Sequence, residues 1–299
     1  MPDTRPGPVS SPTEPPLRDV SDTALWVAVY RALESERHDA LFKDPFARRM
    51  AGQRGDRIAS TIPFGQSMAW SIIVRTAVMD EVILRCIERG VRTVLNLGAG
   101  LDTRAFRLPL PASLRWFDVD LPAMTAYRQA CLEAERPACQ HAHLAADLAD
   151  ADDLSRTLAD AKAGTGPLLV LTEGLLVYLA PSQVADLARQ LRLEAQAQWW
   201  VADLVSPLLR RTMGTVWHSQ LDRASAAFRF APQDSRRFFE ALGWKEHEFH
   251  STWSDALRLG RPPPHGAAWD GFWKWSAPAA HEALKRMSGV ALMERLPHQ

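Results

Sequence analysis

The sequence predicts an α/β fold, a mostly parallel sheet with helices on both faces. Three observations predict it. From residue 93 onward, short apolar runs alternate with amphipathic helical segments. Residues 168–172 (LLVLT) are apolar almost throughout rather than at every second position, which is the mark of a strand buried on both faces. A glycine turn, Gly98-Ala99-Gly100, follows the first strand, and open sheets of this kind bind ligands beyond the carboxyl ends of their strands.

The elements follow in order. Residues 1–20 hold Pro2, Pro6, Pro8, Pro12, Pro15 and Pro16 and read as a disordered tail with no secretory core. Ser21-Asp22-Thr23 is a helix-start signal, and Leu25, Ala28, Val29, Ala32 and Leu33 recur behind it at helical spacing. A second helical piece carries Phe42, Phe46 and Met50 around Pro45; residues 52–65 read as loop. Residues 66–89 read as a long helix, which Gly90 is placed to end. Strands are expected at 93–97, 114–120, 141–146, 168–172 and 198–204. Helices are expected at 122–135, 152–162 and 181–193 between them. Residues 205–232 break the rhythm and read as a lid over the strand ends. A helix at 232–242, stopped by Gly243, and two strands at 244–249 and 290–296 complete the chain. The expected organisation is one domain over 21–299: N-terminal helices to 90, a core at 91–204, the lid, and a C-terminal helix and strands from 233.

Composition bounds the function. The 299 residues carry 35 basic and 35 acidic side chains, so there is no basic excess to draw a nucleic acid or an anionic membrane. The apolar run at 168–180 is interrupted by Glu173, and no uncharged run is long enough to span a bilayer. Cys86, Cys131 and Cys139 are an odd number without metal-like spacing and fit a reducing cytoplasm.

The glycine turn carries the chemistry. A dinucleotide fingerprint would have a third glycine where Thr103 stands, which weakens a pyrophosphate reading. A nucleoside cofactor without phosphates, such as S-adenosylmethionine, fits better. Asp118 and Asp120 end the next strand at the distance expected of an acid that holds ribose hydroxyls. Period-two alternation puts both on one face, so the choice between them stays open. Asp147-Leu148 follows the third strand, where the acid could accept from an adenine amino group or simply cap a turn. Glu173 sits between apolar stretches and must find a partner or a ligand.

The segment Val94-Leu95-Asn96-Leu97-Gly98-Ala99-Gly100-Leu101-Asp102-Thr103-Arg104 closely resembles the glycine motif of the leucine carboxyl methyltransferase family. Further segments resemble it in order. They are Arg31-Ala32-Leu33-Glu34-Ser35, Asp44-Pro45-Phe46, Val74-Arg75-Thr76, Phe117-Asp118-Val119-Asp120-Leu121-Pro122, Asp147-Leu148, Thr172-Glu173-Gly174 with Val177-Tyr178-Leu179, and Gly243-Trp244. The resemblance implies a class I methyltransferase: a Rossmann-like, seven-stranded, mostly parallel sheet whose last pair is antiparallel, with an added helical cover. It implies S-adenosyl-L-methionine as cofactor and S-adenosyl-L-homocysteine as product. By position, Arg75 would pair with the methionyl carboxylate, Gly98 and Gly100 would lie against the cofactor, and Asp120, with Asp118 beside it, would hold the ribose. Asp147 and Leu148 would flank the adenine, and Glu173 would lie near the methionyl amino group. The protein-methylating members carry a lysine in the first helix where this chain has Val27, and similarity fades after about residue 250. Both departures favour the bacterial small-molecule branch over a protein substrate.

The expected reaction is therefore methyl ester formation on a small carboxylic acid, aromatic or polyketide-like, as in secondary metabolism. A carboxylate, with a pKa near ~4, is already ionised and requires no general base. A phenol would benefit from one, and His218 in the lid is the only candidate. Trp26, Trp217 and Tyr178 are candidates for the substrate pocket, with Trp70, Trp199 and Trp200 behind them. Trp199 and Trp200 are strand neighbours and cannot both reach one pocket. A nicotinamide oxidoreductase is the distant alternative, and the Tyr-x-x-x-Lys signature of short-chain dehydrogenases is missing. His141-x-His143 and His247-Glu248-Phe249-His250 lack the helical spacing of a zinc site, so no metal is expected. Gly-x-Ser-x-Gly is absent, so there is no hydrolase nucleophile elbow.

Overall fold

The computed structural model describes residues 21–61, 65–162, 166–216, 227–263 and 278–297. The proline-rich tail, Trp217 and His218 lie outside the described residues. Helices α1 (Asp22–Ser35), α2 (Ala47–Thr61) and α3 (Gly65–Glu88) precede strand β1 (Thr93–Leu97). There follow α4 (Arg104–Arg107), β2 (Arg115–Asp120), α5 (Pro122–Leu132), β3 (Gln140–Ala145), α6 (Ala151–Lys162) and β4 (Leu168–Thr172). A 3-10 turn at Leu176–Tyr178 leads to α7 (Pro181–Leu193), β5 (Trp199–Val205) and α8 (Pro207–Val216). The chain ends with α9 (Ser235–Glu240), β6 (Trp244–Ser251), α10 (Thr252–Arg258), α11 (Pro278–Lys285) and β7 (Ser288–Arg295).

The sheet has seven strands in the order β3-β2-β1-β4-β5-β7-β6. The pairs from β3 to β5 are parallel, and β7 runs antiparallel to both its neighbours. Strand order reverses between β1 and β4, which opens a crevice at their carboxyl ends. Because β7 is antiparallel, its first residues reach this same edge of the sheet. Both faces are covered, as strands β1 and β4 require, being buried at every position. One core cluster holds Leu95, Leu97, Val170 and Trp200 with α6 and α7; the other holds Val94, Trp116, Leu169 and Val201 with α3.

One expectation is corrected, and three helices were not anticipated. Residues 52–61 are helix rather than loop: Gly52 (φ 56°) kinks α2, and the chain then re-enters helix so that Gly55 and Ile58 bury against α1. The first part of the expected lid is α8, which the scattered aromatics of 205–232 obscured. Helices α10 and α11 were not anticipated; α10 starts at Ser251, whose hydroxyl accepts from Ser254 N–H.

Candidate active site

The glycine turn is built by backbone that only glycine tolerates well. Gly98 (φ 65°) and Gly100 (φ 50°) both sit in the left-handed region. A Cβ on Gly98 would stand 3.0 Å from Leu175 Cδ1, and one on Gly100 would stand 3.2 Å from the Ala24 Cβ. Beyond the turn lies a cavity of about 680 Å³ along the carboxyl ends of β1 to β5 and the start of β7. Arg75, Gly98, Gly100, Asp120, Asp147, Leu148, Glu173, Trp26 and Tyr178 all line it.

Asp118 does not line it, which corrects the pairing of the two acids at the end of β2. Both point to one face, as alternation requires, but Asp118 lies one residue pair deeper and is 1% exposed. Its carboxylate accepts from Asn96 Nδ2 (2.8 Å) and Trp116 Nε1 (2.9 Å) and lies 2.7 Å from His141 Nε2. Burial works against its charge, but the Arg128 guanidinium and the His141 contact outweigh burial and hold the carboxyl well below the usual range. Asp118, His141 and His143 each bring a potential ligand atom within 4.8 Å of the others. Yet Arg128 Nη2 stands 3.1 Å from His143 Nδ1, and its Nη1 donates to the Gly100 carbonyl (3.0 Å). A guanidinium on that lone pair opposes a metal cation there, and together with burial it lowers the His143 pKa to about 4. This cluster braces the back of the glycine turn.

Asp120 faces the cavity. It accepts from Gly100 N–H (2.6 Å) and Leu121 N–H (2.8 Å), and burial raises its pKa. At the other side of the turn, Glu173 Oε1 accepts from Arg75 Nε (3.0 Å) and Oε2 from Arg104 Nη1 (2.6 Å). Burial opposes the charge of Glu173, but Arg104 and Arg75 outweigh it and bring the carboxyl down to about 2. Arg75 Nη1 donates to Asp203 Oδ2 (2.9 Å), while Asp203 Oδ1 accepts from Gly174 N–H (2.7 Å). Among the described residues Arg75 Nη2 makes no hydrogen bond, so this guanidinium, lining the cavity, keeps one nitrogen to offer.

Sequence reasoning missed Asp203, Asp102, Arg104 and Asp80 as parts of this network. Arg104 joins Asp80 (2.6 Å), Asp102 (2.6 Å) and Glu173 in one buried chain of charges. Asp203 carried the same signal as Glu173, an acid set in an apolar strand. The motif segments around Arg31 and Asp44 converge beneath the turn. Asp44 Oδ1 accepts from Phe46 and Ala47 N–H, its Oδ2 accepts from Thr103 Oγ1 (2.8 Å), and Arg31 lies 3.3 Å from the same oxygen. Thr103, where a dinucleotide fold would hold glycine, is thus bonded to Asp44 in the connection between α1 and α2.

Asp147 is exposed at the cavity rim and accepts from Ala149 N–H (2.9 Å), so it makes a turn as well as facing the crevice. Tyr178 is hydrogen-bonded with Thr23, and its ring lies 5.5 Å from that of Phe228. The segment bearing Phe228 is tied down where the Val177 carbonyl accepts from Arg229 N–H (2.7 Å). Trp70 lines the cavity, and Trp253 does so unanticipated. Trp200 is fully buried and donates to Thr172 Oγ1; neither it nor Trp199 reaches the cavity.

Residues 24–192 match the family model described as leucine carboxyl methyltransferase. The chain belongs to that family. A protein of Streptomyces coelicolor, provisionally named an S-adenosyl-L-methionine-dependent methyltransferase, is 31% identical over 80% of this chain and 88% of its own length. A Parafrankia protein with the same provisional name is 33% identical over 82% of this chain and 83% of its own. In fold, the chain resembles a DUF574 family protein from Streptomyces avermitilis (TM-score 0.59, 15% identity, 92% of this chain and 97% of that one). It also resembles a provisionally named methyltransferase from Thermobifida fusca (TM-score 0.57, 16% identity, 94% of this chain and 96% of that one). This methyltransferase uses S-adenosyl-L-methionine, and the nicotinamide reading is set aside. No described helix is long and apolar enough to cross a membrane.

Proposed function

We propose that this methyltransferase forms the methyl ester of a small, apolar carboxylic acid, aromatic or polyketide-like, rather than methylating a protein. The cofactor supplies an electrophilic methyl group on a sulfonium. The donor set suits it. Arg75 Nη2 would take the methionyl carboxylate, Glu173 would face the amino group, and the Gly98–Gly100 turn would admit close backbone approach. Asp120 would accept from the ribose hydroxyls, and Asp147 with Leu148 would flank the adenine.

One observation carries the choice of acceptor. Each of the five acids lining the cavity, Asp102, Asp120, Asp147, Glu173 and Asp203, already accepts from an arginine or a backbone N–H. Burial raises the Tyr178 pKa, which makes the phenol a poor base. Among the described residues no histidine lines the cavity; of the lining acids, Asp120, Asp147 and Glu173 would be taken by the cofactor, and Asp102 and Asp203 are held by arginines. An acceptor that arrives ionised needs no base: its oxygen bonds to the methyl carbon as the carbon–sulfur bond breaks, and no proton leaves. Orientation and removal of water from the nucleophile then supply the rate. Val27 on the cavity wall, in place of the lysine of protein-methylating relatives, supports the small-molecule reading.

The test is transfer of a labelled methyl group to a panel of acids and phenols. Label released by mild alkali as methanol identifies an ester and supports the reading. Alkali-stable label would reject it in favour of a phenolic hydroxyl.

A further inference from the structure

Among the described residues two cationic side chains line the cavity, Arg75 of α3 and Arg31 of α1. Five acids line it with them, so an ionised acceptor enters a space where carboxylates outnumber guanidinium groups and needs a cation at its side. Arg75 is committed in the reading above: it shares Glu173 with the methionyl amino group, and its one open nitrogen goes to the methionyl carboxylate. Arg31 is bonded to none of the groups assigned to the cofactor. With Ala24 and Val27 it forms one face of α1, and that face borders the cavity. The residue is 5% exposed. Its Nη2 donates to the Leu101 carbonyl (2.5 Å), and its Nε, sealed from solvent, lies 3.3 Å from Asp44 Oδ2. Those two contacts fix the plane of the guanidinium. Nη1 makes no hydrogen bond among the described residues and is not sealed as Nε is, so in a side chain this deep in the cavity wall it opens into the cavity. Burial, Arg104 and Arg75 act most on the Glu173 carboxyl, and the charge of Arg31 reaches it as well. The Arg31 head therefore stands towards the amino-acid end of the methyl donor, beside which the sulfonium lies.

We propose that Arg31 anchors the acceptor: Nη1 donates to one oxygen of its carboxylate and leaves the other oxygen to attack the methyl carbon. This rests on the ester-forming reading above. The attacking oxygen bonds to carbon as the carbon–sulfur bond breaks, and the electron pair of that bond stays on the sulfur of S-adenosylhomocysteine. The product ester is neutral and no longer pairs with Arg31, which favours its release. The fold does not hang on this side chain. Without it Asp44 keeps the N–H groups of Phe46 and Ala47 and the hydroxyl of Thr103, with Arg107 Nε 4.0 Å away.

The experiment uses the full chain, Arg31→Met, which removes the charge, and Arg31→Lys, which keeps the charge and loses the fork. Binding of naphthoate and of naphthamide, matched in size and different in charge, is read by thermal stabilisation in the presence of S-adenosylhomocysteine. The wild type should favour the acid over the amide. Arg31→Met should weaken naphthoate about 10- to 100-fold and leave naphthamide unmoved, with Arg31→Lys between. For an acid that is methylated, kcat/KM should fall in the same order. Calorimetry should find S-adenosylhomocysteine affinity held in both variants. A loss of that affinity in Arg31→Met, with methylthioadenosine, which lacks the amino-acid end, still bound as in the wild type, would overturn the proposal and give Arg31 to the methionyl carboxylate. An acid-over-amide preference that Arg31→Met leaves unaltered would also overturn it and leave Arg31 as a brace for Asp44. So would a wild type that binds acid and amide alike. If Arg31→Met fails to fold, Arg31→Lys decides by the same comparison. The ester reading fails separately. Alkali-stable label on naphthol with none on naphthoate rejects that reading, whereas naphthoate methylated equally well by wild type and Arg31→Met rejects only the role of Arg31.

Discussion

The side of the cavity formed by β1 to β4 presents Asp102, Asp120 and Glu173, with Arg75 reaching in from α3, each tied to a named partner at hydrogen-bond distance. The side formed by β5 and β7 presents Leu204, Val205, Leu284 and Met287, which bind through contact area alone. The contrast separates two kinds of information. A buried charge without a partner costs several kcal/mol, so each charged residue on the first side fixes the identity of its neighbours. An apolar wall is a sum over many small contacts, and one leucine there replaces another at little cost. The first side defines a cofactor; the second defines only a size and a shape.

The strongest way to break this contrast is Glu173→Ala. It leaves Arg75 and Arg104 short of a buried carboxylate, and breaking such a pair from one side costs about 3–5 kcal/mol. Urea unfolding should show that loss, and calorimetry should show S-adenosylhomocysteine binding abolished. Leu284→Ala on the opposite side, at 7% exposure, should cost a comparable ~2–5 kcal/mol yet leave cofactor affinity within about twofold. Equal effects of the two changes on cofactor affinity would erase the division.

The pH dependence sharpens it. The Glu173 carboxyl stands at about 2 in the folded chain, below the ~4.3 of an unperturbed glutamate. Its folded value is depressed, so its contribution is complete above the unfolded value and drains away as pH falls from there towards the folded one. Stability measured across that acid window should decline in the wild type. In Glu173→Gln the decline should be shallower, starting from a lower plateau. Parallel curves would show that the Arg75 and Arg104 contacts add nothing.

How much of this was legible before the structure follows the same division. The parallel sheet, the glycine turn and the pairing need of Glu173 were readable because strand periodicity and buried charge leave few alternatives. Glycine at 98 and 100 marked positions where the backbone must be left-handed. Asp118 and Asp120 could not be told apart, because alternation gives the face of a strand residue and not its depth, and depth depends on where Asn96 and His141 fall in neighbouring strands. Arg104 and Asp203 were readable in principle as charges in apolar surroundings, but their partners come from three separate segments: α3, the glycine turn and the turn after β4. Helix α2 beyond Gly52 was misread because a glycine that stops most helices here only kinks one. Trp253 and Met287 carried no signal, since an apolar residue near the chain's end belongs as readily to a core as to a pocket.

Asp120→Ala tests the ribose assignment at the next scale. Lost bonds to a charged acceptor cost ~1.5–3 kcal/mol, which is about 10- to 150-fold in the dissociation constant of S-adenosylhomocysteine. Burial raises the Asp120 pKa, so wild-type affinity should fall on acidification at a pH above the usual aspartate value, before the Glu173 contribution to stability is lost. Asp120→Asn should remove that pH dependence. Asp118→Asn supplies the contrast: its carboxylate is enclosed by Trp116, Asn96 and His141, so the change should lower stability more than affinity. The reverse ranking would return the ribose to Asp118.

The smallest expected effect is that of Tyr178→Phe, at the boundary of the two sides. Its hydroxyl is hydrogen-bonded with Thr23, and a single neutral bond is worth ~0.5–1.5 kcal/mol net. The melting temperature should drop slightly, and cofactor affinity should hold. The transfer rate decides more. With its pKa raised by burial, Tyr178 stays protonated at neutral pH and cannot act as a base, so the rate should fall less than tenfold and keep the wild-type pH profile. A loss of a hundredfold or more, with the basic limb of the profile gone, would mean that this hydroxyl handles a proton, and the base-free account of the acceptor would then be wrong.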